Sequence, residues 1–271
     1  MTAPPADVPA ALDTAPAGDT TVPDDVAPPV DTAPAEDIAP PSCDTAWTVV
    51  HFDTSDGVTL EADYRAAESP GPGAVVLVHM VPPAWDRTSW PLRVRDQLHD
   101  LGLSVLSIDR RGAGASGGTA VDAYKGPGGR LDLEAAVTFL LAQPCAPAAT
   151  RVVLIGASNG TTSTLDYLAG HDPALPAPAG LAWLSPGAYT ENQTKLADLG
   201  AGPILWLYPD TEPWSETWNE GAPETWTFVK VSPGAHGTHM LDDGPMEATV
   251  MAALVPFVTA AAVTEAVDSS R

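Results

Sequence analysis

The segment Val152-Val153-Leu154-Ile155-Gly156-Ala157-Ser158-Asn159-Gly160 constrains the fold more than any other stretch of the chain. A buried-type apolar run passes straight into G-x-S-x-G and then into a helical pattern, which reads as strand, sharp turn, helix. In such a turn the serine backbone is held in a strained conformation. Small residues two before and two after it let strand and helix approach closely. Ser158 Oγ is then presented at the carboxyl end of a parallel strand, over the positive end of the following helix. The motif is short enough to arise by chance, and its strand-before, helix-after context is what gives it weight.

The rest of the chain supplies a sheet to hold that strand. Trp47 to Thr54 and Val58 to Ala66 alternate as paired strands around a turn at Ser55-Asp56-Gly57. A continuous apolar run of central-strand type follows at Ala74 to His79, then a helical spacing from Trp90 to Leu101 and a further buried strand from Leu103 to Ile108. The alternation continues with a helix from about Leu131 to Leu141, a strand from Arg151 to Ile155 and a helix from Thr161 to Ala169. Then come a strand from Gly180 to Leu184, a short helix near Ala197, strands Pro203 to Tyr208 and Trp226 to Val231, and a last helix around Met246 to Ala261. Two antiparallel-type strands followed by strand–helix alternation predict an α/β class domain, a mostly parallel central sheet with helices on both faces. Ligands of such sheets bind outside the carboxyl ends of the strands.

Residues 1–42 read differently. They hold ten prolines, ten alanines, eight acidic residues and no lysine or arginine. So much proline denies the segment regular hydrogen bonding, and it has little to bury, so the expectation is a disordered acidic linker. Residues 43–271 are left as one domain, enough for a well-buried core. The formal net charge is −23, and −15 without the eight carboxylates of the linker. A chain so acidic is repelled by phosphate backbones and anionic lipid, which argues against nucleic-acid partners. No apolar run is read as long enough to span a bilayer, and Met1 leads into the linker without a signal-peptide pattern. A Pro/Ala/Thr/Asp linker ahead of a folded domain resembles the tether of exported bacterial lipoproteins. The expected location is therefore extracytoplasmic, secreted or lipid-anchored, with the signal removed. Cys43 and Cys145, the only cysteines, each sit in a Pro-flanked loop, and a disulfide between them suits an oxidising compartment; two unrelated thiols are the alternative.

Several landmarks arrive in a telling order: the turn at His79, then Asp109-Arg110-Arg111-Gly112-Ala113-Gly114-Ala115-Ser116, G-x-S-x-G, an acid, a histidine. In this order the chain resembles the α/β-hydrolase superfamily, in the style of lidless bacterial esterases and dienelactone-hydrolase-like enzymes, over roughly Trp47 to the carboxyl terminus. The resemblance implies a Ser158 nucleophile, which needs a neighbouring base because a serine hydroxyl is weak on its own. His236, in Pro233-Gly234-Ala235-His236-Gly237 after the last strand, is the favoured base, with His239 as the other candidate. Reading His236 and His239 as a metal pair is weaker, since nothing nearby offers matched ligands. The acid is expected after the strand ending at Tyr208. Aligning Pro209 with the family's usual glycine favours Glu212, and a shorter loop offers Asp210 instead. Backbone N–H groups of Val81 and Asn159 match the family's oxyanion donors. The residue after His79 is Met80 where the family has glycine. Its side chain either narrows the acyl pocket or packs under the loop. His79 itself reads as structural.

Gly112-Ala113-Gly114-Ala115-Ser116-Gly117 satisfies G-x-G-x-x-G after a strand, yet it opens onto a loop running to Gly129 and offers no helix amino-terminus for a pyrophosphate. The strand ending at Leu184 and the one beginning at Pro203 lie too close in sequence for a cap domain. Trp85, Trp214 and Trp218 fall in loops at the same end, either as an aromatic substrate wall or as packing. The expected activity is cofactor-independent hydrolysis of carboxylic esters, small or polymer-borne, through an acyl-enzyme at an open site. A peptidase of the same superfamily and a non-catalytic binding protein of the same fold are the alternatives.

Overall fold

A computed structural model describes residues 43–70, 73–148, 151–187, 196, 202–242 and 244–263. The linker expected at residues 1–42 and most of the short helix expected near Ala197 lie outside the described residues.

Eight strands form one sheet: β1 (Thr48–Asp53), β2 (Thr59–Arg65), β3 (Ala74–Val78), β4 (Ser104–Ile108), β5 (Val152–Ala157), β6 (Gly180–Leu184), β7 (Ile204–Pro209) and β8 (Trp226–Val231). Their order across the sheet is β1-β2-β4-β3-β5-β6-β7-β8. β2 pairs antiparallel with both β1 and β4, and every pair from β4 to β8 is parallel. Among the described residues four α-helices cover it: α1 (Leu92–His99), α2 (Gly128–Leu141), α3 (Gly160–Gly170) and α4 (Pro245–Val258).

The strands from β3 to β7 are buried throughout and mostly apolar because both their faces are covered, Ser104 and Ser107 of β4 being buried polar exceptions. In β3, Val76 and Val78 point to one core with Leu133, Val137 and Leu165 of α2 and α3. Val75 and Leu77 point to the other, with Val94 and Leu98 of α1 and Val250 and Leu254 of α4. The same alternation repeats in β5 (Val152 and Leu154 against Val153 and Ile155) and in β7 (Trp206 against Leu205 and Leu207). Fully burying each such aliphatic side chain is worth roughly 1.5–3 kcal/mol, so two cores share one central layer of backbone hydrogen bonds. The chain leaves β3 for β4 on one side and later returns to β5 on the other. The carboxyl ends of β3 and β5, paired with Val78 opposite Gly156, therefore form the switch point where such sheets bind ligands.

Two expectations change. The run Pro245–Val263 does reach the length and apolarity of a bilayer span, with a third of it buried. In this fold it is α4 and a following turn. Val250, Leu254 and Val258 enter the core, and the partly buried Glu247 carboxylate accepts both ways from Arg93 Nε at 2.8 and 2.9 Å. α2 also begins earlier than expected, at Gly128. The Cys43–Cys145 disulfide is present, with Cα atoms 6.0 Å apart, and joins the approach to β1 to the loop before β5. Among the described residues nothing between β6 and β7 forms a cap domain.

Candidate active site

β5 ends in the turn that the sequence requires. Ser158 has φ +49°, a left-handed backbone that a non-glycine residue adopts only under constraint. The constraint is visible: Ser158 N–H donates to Leu184 O at 2.7 Å, and Thr161 N–H to Ser158 O at 3.0 Å. A Cβ at Gly156 would meet Gly160 and Thr161 backbone at 3.0 Å, and one at Gly160 would lie 2.5 Å from the carbonyl oxygens of Val78 and His79. Strand, helix and the loop after β3 touch there, backbone to backbone.

The other two groups come from the loops after β7 and β8. His236 Nε2 lies 2.7 Å from Ser158 Oγ. His236 Nδ1 bonds to Glu212 Oε1. The Glu212 carboxylate is buried, and its Oε2 has no hydrogen-bond partner among the described residues. Asp210, the other acid considered, is turned to a different task. It accepts from Ser232 Oγ at 2.6 Å and from Gly234 N–H at 3.2 Å, closing the loop that carries His236. The Ser232 hydroxyl is the main reason its carboxyl is held below the usual aspartate range. His239 faces away. Its Nδ1 is 3.5 Å from Asp242 Oδ2, and its ring meets Trp85 edge-on with centroids 4.9 Å apart.

In the loop after β3 Val81 stands 37% exposed, and Asn159, next after the serine, caps α3. Met80 is closed to solvent. Its sulfur occupies the place of a Cβ on Gly237, whose φ of +60° brings that backbone down onto the thioether. Of the two readings of Met80, its burial matches packing under the loop, and the same contact sets it beside the site, since the Gly237 Cβ position also lies 3.6 Å from Ser158 Cβ. Trp218 likewise packs, stacked on Trp206 at 6.1 Å. Trp214 is 46% exposed and Trp85 half-buried at the same end.

His79 is structural, as its surroundings require. Arg110 N–H donates to its Nε2 at 2.9 Å, which leaves the proton on Nδ1, and Nδ1 donates to Met80 O at 2.7 Å. Burial first, and the Arg110 charge second, push its pKa down to about 3, so the ring stays neutral. The Gly112–Gly117 turn folds back on the sheet, with Gly117 N–H on Thr59 O at 2.8 Å and Ser116 Oγ donating to Asp109 O at 2.7 Å. It opens no helix.

Sequence reasoning missed two residues here. Ser185, after β6, has φ +53° and is fully buried, and its Oγ accepts from Gly237 N–H at 2.9 Å, next to His236. Arg110, inside the Asp109–Ser116 stretch quoted from the sequence, reaches His79 O, Met80 O and Asn159 Oδ1 with one guanidinium nitrogen. Only its place in that stretch marks it, and nothing in the sequence marks Ser185.

No protein-family model matches the chain, and no curated protein matches it in sequence. Solved structures do match it in shape. An esterase of Pyrococcus furiosus superposes with a TM-score of 0.62 at 16% identity, over 82% of this chain and 97% of that one. A dienelactone hydrolase of Anabaena variabilis gives 0.58 at 16% identity, over 79% and 96%. An esterase of a Rhodococcus species gives 0.54 at 16%, over 79% and 99%. The chain has the α/β-hydrolase fold. Its strand order, the turn at the end of β5 and the placing of the two loops after β7 and β8 are all accounted for by that fold. At such identities the likeness speaks for the fold alone.

Proposed function

We propose that this chain is a serine hydrolase of carboxylic esters in which Ser158, His236 and Glu212 act as a triad. The observation that carries the reading is the chain of two hydrogen bonds from Ser158 Oγ through His236 to Glu212. Ser158 Oγ attacks the ester carbonyl carbon as its proton passes to His236 Nε2. Glu212 keeps the other ring proton on Nδ1 and stabilises the imidazolium that forms. The carbonyl oxygen, now an oxyanion, lies against the backbone N–H groups of Val81 and Asn159. Collapse of the tetrahedral intermediate breaks the ester C–O bond, and His236 returns the proton to the departing alcohol. Water then enters by the same route and releases the acid.

An open site is part of the proposal, supported by the exposure of Val81 and Trp214 in loops that follow β3 and β7. The burial of Met80 against Gly237 and the reach of Glu212 to His236 favour catalysis over a non-catalytic binding protein of the same fold. Extracytoplasmic residence is proposed with the activity, because a disulfide persists in oxidising compartments.

The test is hydrolysis of p-nitrophenyl esters of increasing acyl length by the wild type and by Ser158→Ala. Turnover that vanishes in the variant is expected. Turnover equal in the two proteins, or absent on every ester in both, would refute the proposal.

A further inference from the structure

Arg110 is the residue with the least obvious reason to be where it is. It is fully buried and remains charged, with burial lowering its pKa only to about 10. Its hydrogen bonds go to neutral oxygens, not to a carboxylate. Nη2 donates to Ala123 O at 2.5 Å and Ser163 Oγ at 3.0 Å. Nη1 faces Asn159 Oδ1 at 2.9 Å, Met80 O at 3.3 Å and His79 O at 3.5 Å. Its Nε has no hydrogen-bond partner among the described residues. A buried cation left partly unsatisfied opposes folding, so its value lies in what it holds.

Nη1 holds Asn159 and the carbonyl of the peptide whose N–H belongs to Val81, and these two N–H groups face the oxyanion in the proposed mechanism. Met80 O belongs to the Met80–Val81 peptide. In a trans peptide, C=O and N–H point in opposite directions. Fixing Met80 O from below, by Arg110 Nη1 and by His79 Nδ1, therefore fixes the direction of Val81 N–H above. The same nitrogen takes the side chain of Asn159, whose own N–H is the second donor. Gly160 lets the two segments touch, and Arg110 spans the seam between them.

We infer that Arg110 is a positioning residue which sets the mutual aim of the two oxyanion donors, acting through Met80 O and the Asn159 side chain. The inference rests on the proposed ester-hydrolase reading and adds a residue to it. Donors aimed at the oxyanion act in the transition state and hardly touch bound substrate. Their misalignment therefore lowers kcat and leaves KM nearly alone. Outright removal of one such donor costs about 10²–10³ in kcat, so misaiming both is expected to cost roughly 10- to 100-fold.

The experiment compares wild type with Arg110→Lys and Asn159→Ala, the second of which removes Oδ1 while keeping the backbone donor and every ion pair. Active sites are counted by titration with a fluorophosphonate. kcat and KM per titrated site are then measured on the p-nitrophenyl ester that the wild type turns over best, together with inhibition by the matching trifluoromethyl ketone, whose hemiketal oxyanion sits between the donors. The expected result is a fall in kcat per site with KM within about threefold, and a parallel fall in affinity for the ketone. Should Arg110→Lys not fold, Asn159→Ala shows the same pattern to a smaller degree. Fewer titratable sites with unchanged kcat and ketone affinity per site would mean that Arg110 only supports the fold, and would overturn the inference. Wild-type turnover with both variants unaffected overturns it alone, whereas absence of wild-type turnover overturns the hydrolase reading with it.

Discussion

The sharpest perturbation separates the two carboxylates of the loop after β7. Glu212→Gln replaces the buried charge on His236 by an amide of the same shape. The amide can turn its NH2 toward Nδ1, forcing the ring proton onto Nε2, where it can no longer accept from Ser158. In the well-studied serine protease triad the corresponding change lowers kcat by about 10⁴, equivalent to about 5.5 kcal/mol at 1.36 kcal/mol per decade. The effect here is expected to be smaller for a structural reason. The His236 side chain is 40% exposed, so solvent takes up part of the imidazolium's stabilisation when the carboxylate is neutralised. A fall of about 10²–10³ in kcat, roughly 3–4 kcal/mol, follows, with KM changed by less than about threefold. Asp210→Asn leaves one oxygen for Ser232 and Gly234 and does not touch the ring, so kcat is expected to stay within about threefold of wild type. Both variants are assayed on the same p-nitrophenyl ester, with sites counted by fluorophosphonate titration. A collapse of activity in Asp210→Asn beside a nearly normal Glu212→Gln would refute this assignment of the acid, and with it the geometry from which the magnitudes are worked.

Two further outcomes concern stability. The Cys43–Cys145 bridge closes a loop across 102 positions, so its reduction or a Cys43→Ser/Cys145→Ser variant is expected to lower the unfolding free energy by about 2–5 kcal/mol; guanidinium unfolding with and without reductant measures this, and coincident curves would refute it. His79 stays neutral in the folded chain down to about pH 3 and takes a proton near 6.5 when unfolded, so between those values the unfolded state binds more protons. Its contribution to stability is intact above about pH 6.5 and is lost as pH falls toward 3, by at most about 1.4 kcal/mol per unit, so His79→Asn is expected to flatten the pH dependence of urea unfolding over that window. Equal slopes in the two proteins would refute it.

What was legible in the sequence, and what was not, divides along a physical line. β3 to β7 were legible because burial on both faces makes each a mostly apolar run, with Ser104 and Ser107 of β4 as exceptions. Ser158 was legible because its turn needs glycine on both sides of a tight crossing, which leaves a local mark. Glu212 and His236 could be placed by their order after strands, though only the folded chain decides between Glu212 and Asp210, since both lie in one loop and one residue between them reverses their directions. The three-residue turn at Arg87–Ser89 is too short to carry a period, and the ion pairs around it were invisible. Arg87 meets Glu61 at 2.7 Å, Asp63 at 2.8 Å and Asp109 as well, partners from β2 and from the end of β4. Such contacts depend on strand order, which no single segment encodes.

Arg110 and Arg111 show how far apart neighbouring residues of one type can stand. Arg111 pairs with Asp132 at 2.7 Å and Asp56 at 2.8 Å, so its charge is met by opposite charges and the pair ties the turn after β4 to α2. Arg110 points the other way: its hydrogen bonds go to neutral oxygens, and Asp132 and Asp166 act on it only by attraction without a hydrogen bond. Replacing a buried ion pair by apolar residues is often neutral, because the pair has already cancelled most of its own field. A buried cation facing carbonyl oxygens keeps its field, and that field acts along the peptides it touches. Removing Arg111 therefore disturbs a turn, whereas removing Arg110 frees two peptide planes at the point where negative charge develops in the proposed reaction. With 12 basic residues against 35 acidic ones, a fully buried cation that hydrogen-bonds to no carboxylate among the described residues is an unusual use of a scarce group. In the proposed mechanism that use is the orientation of the oxyanion donors.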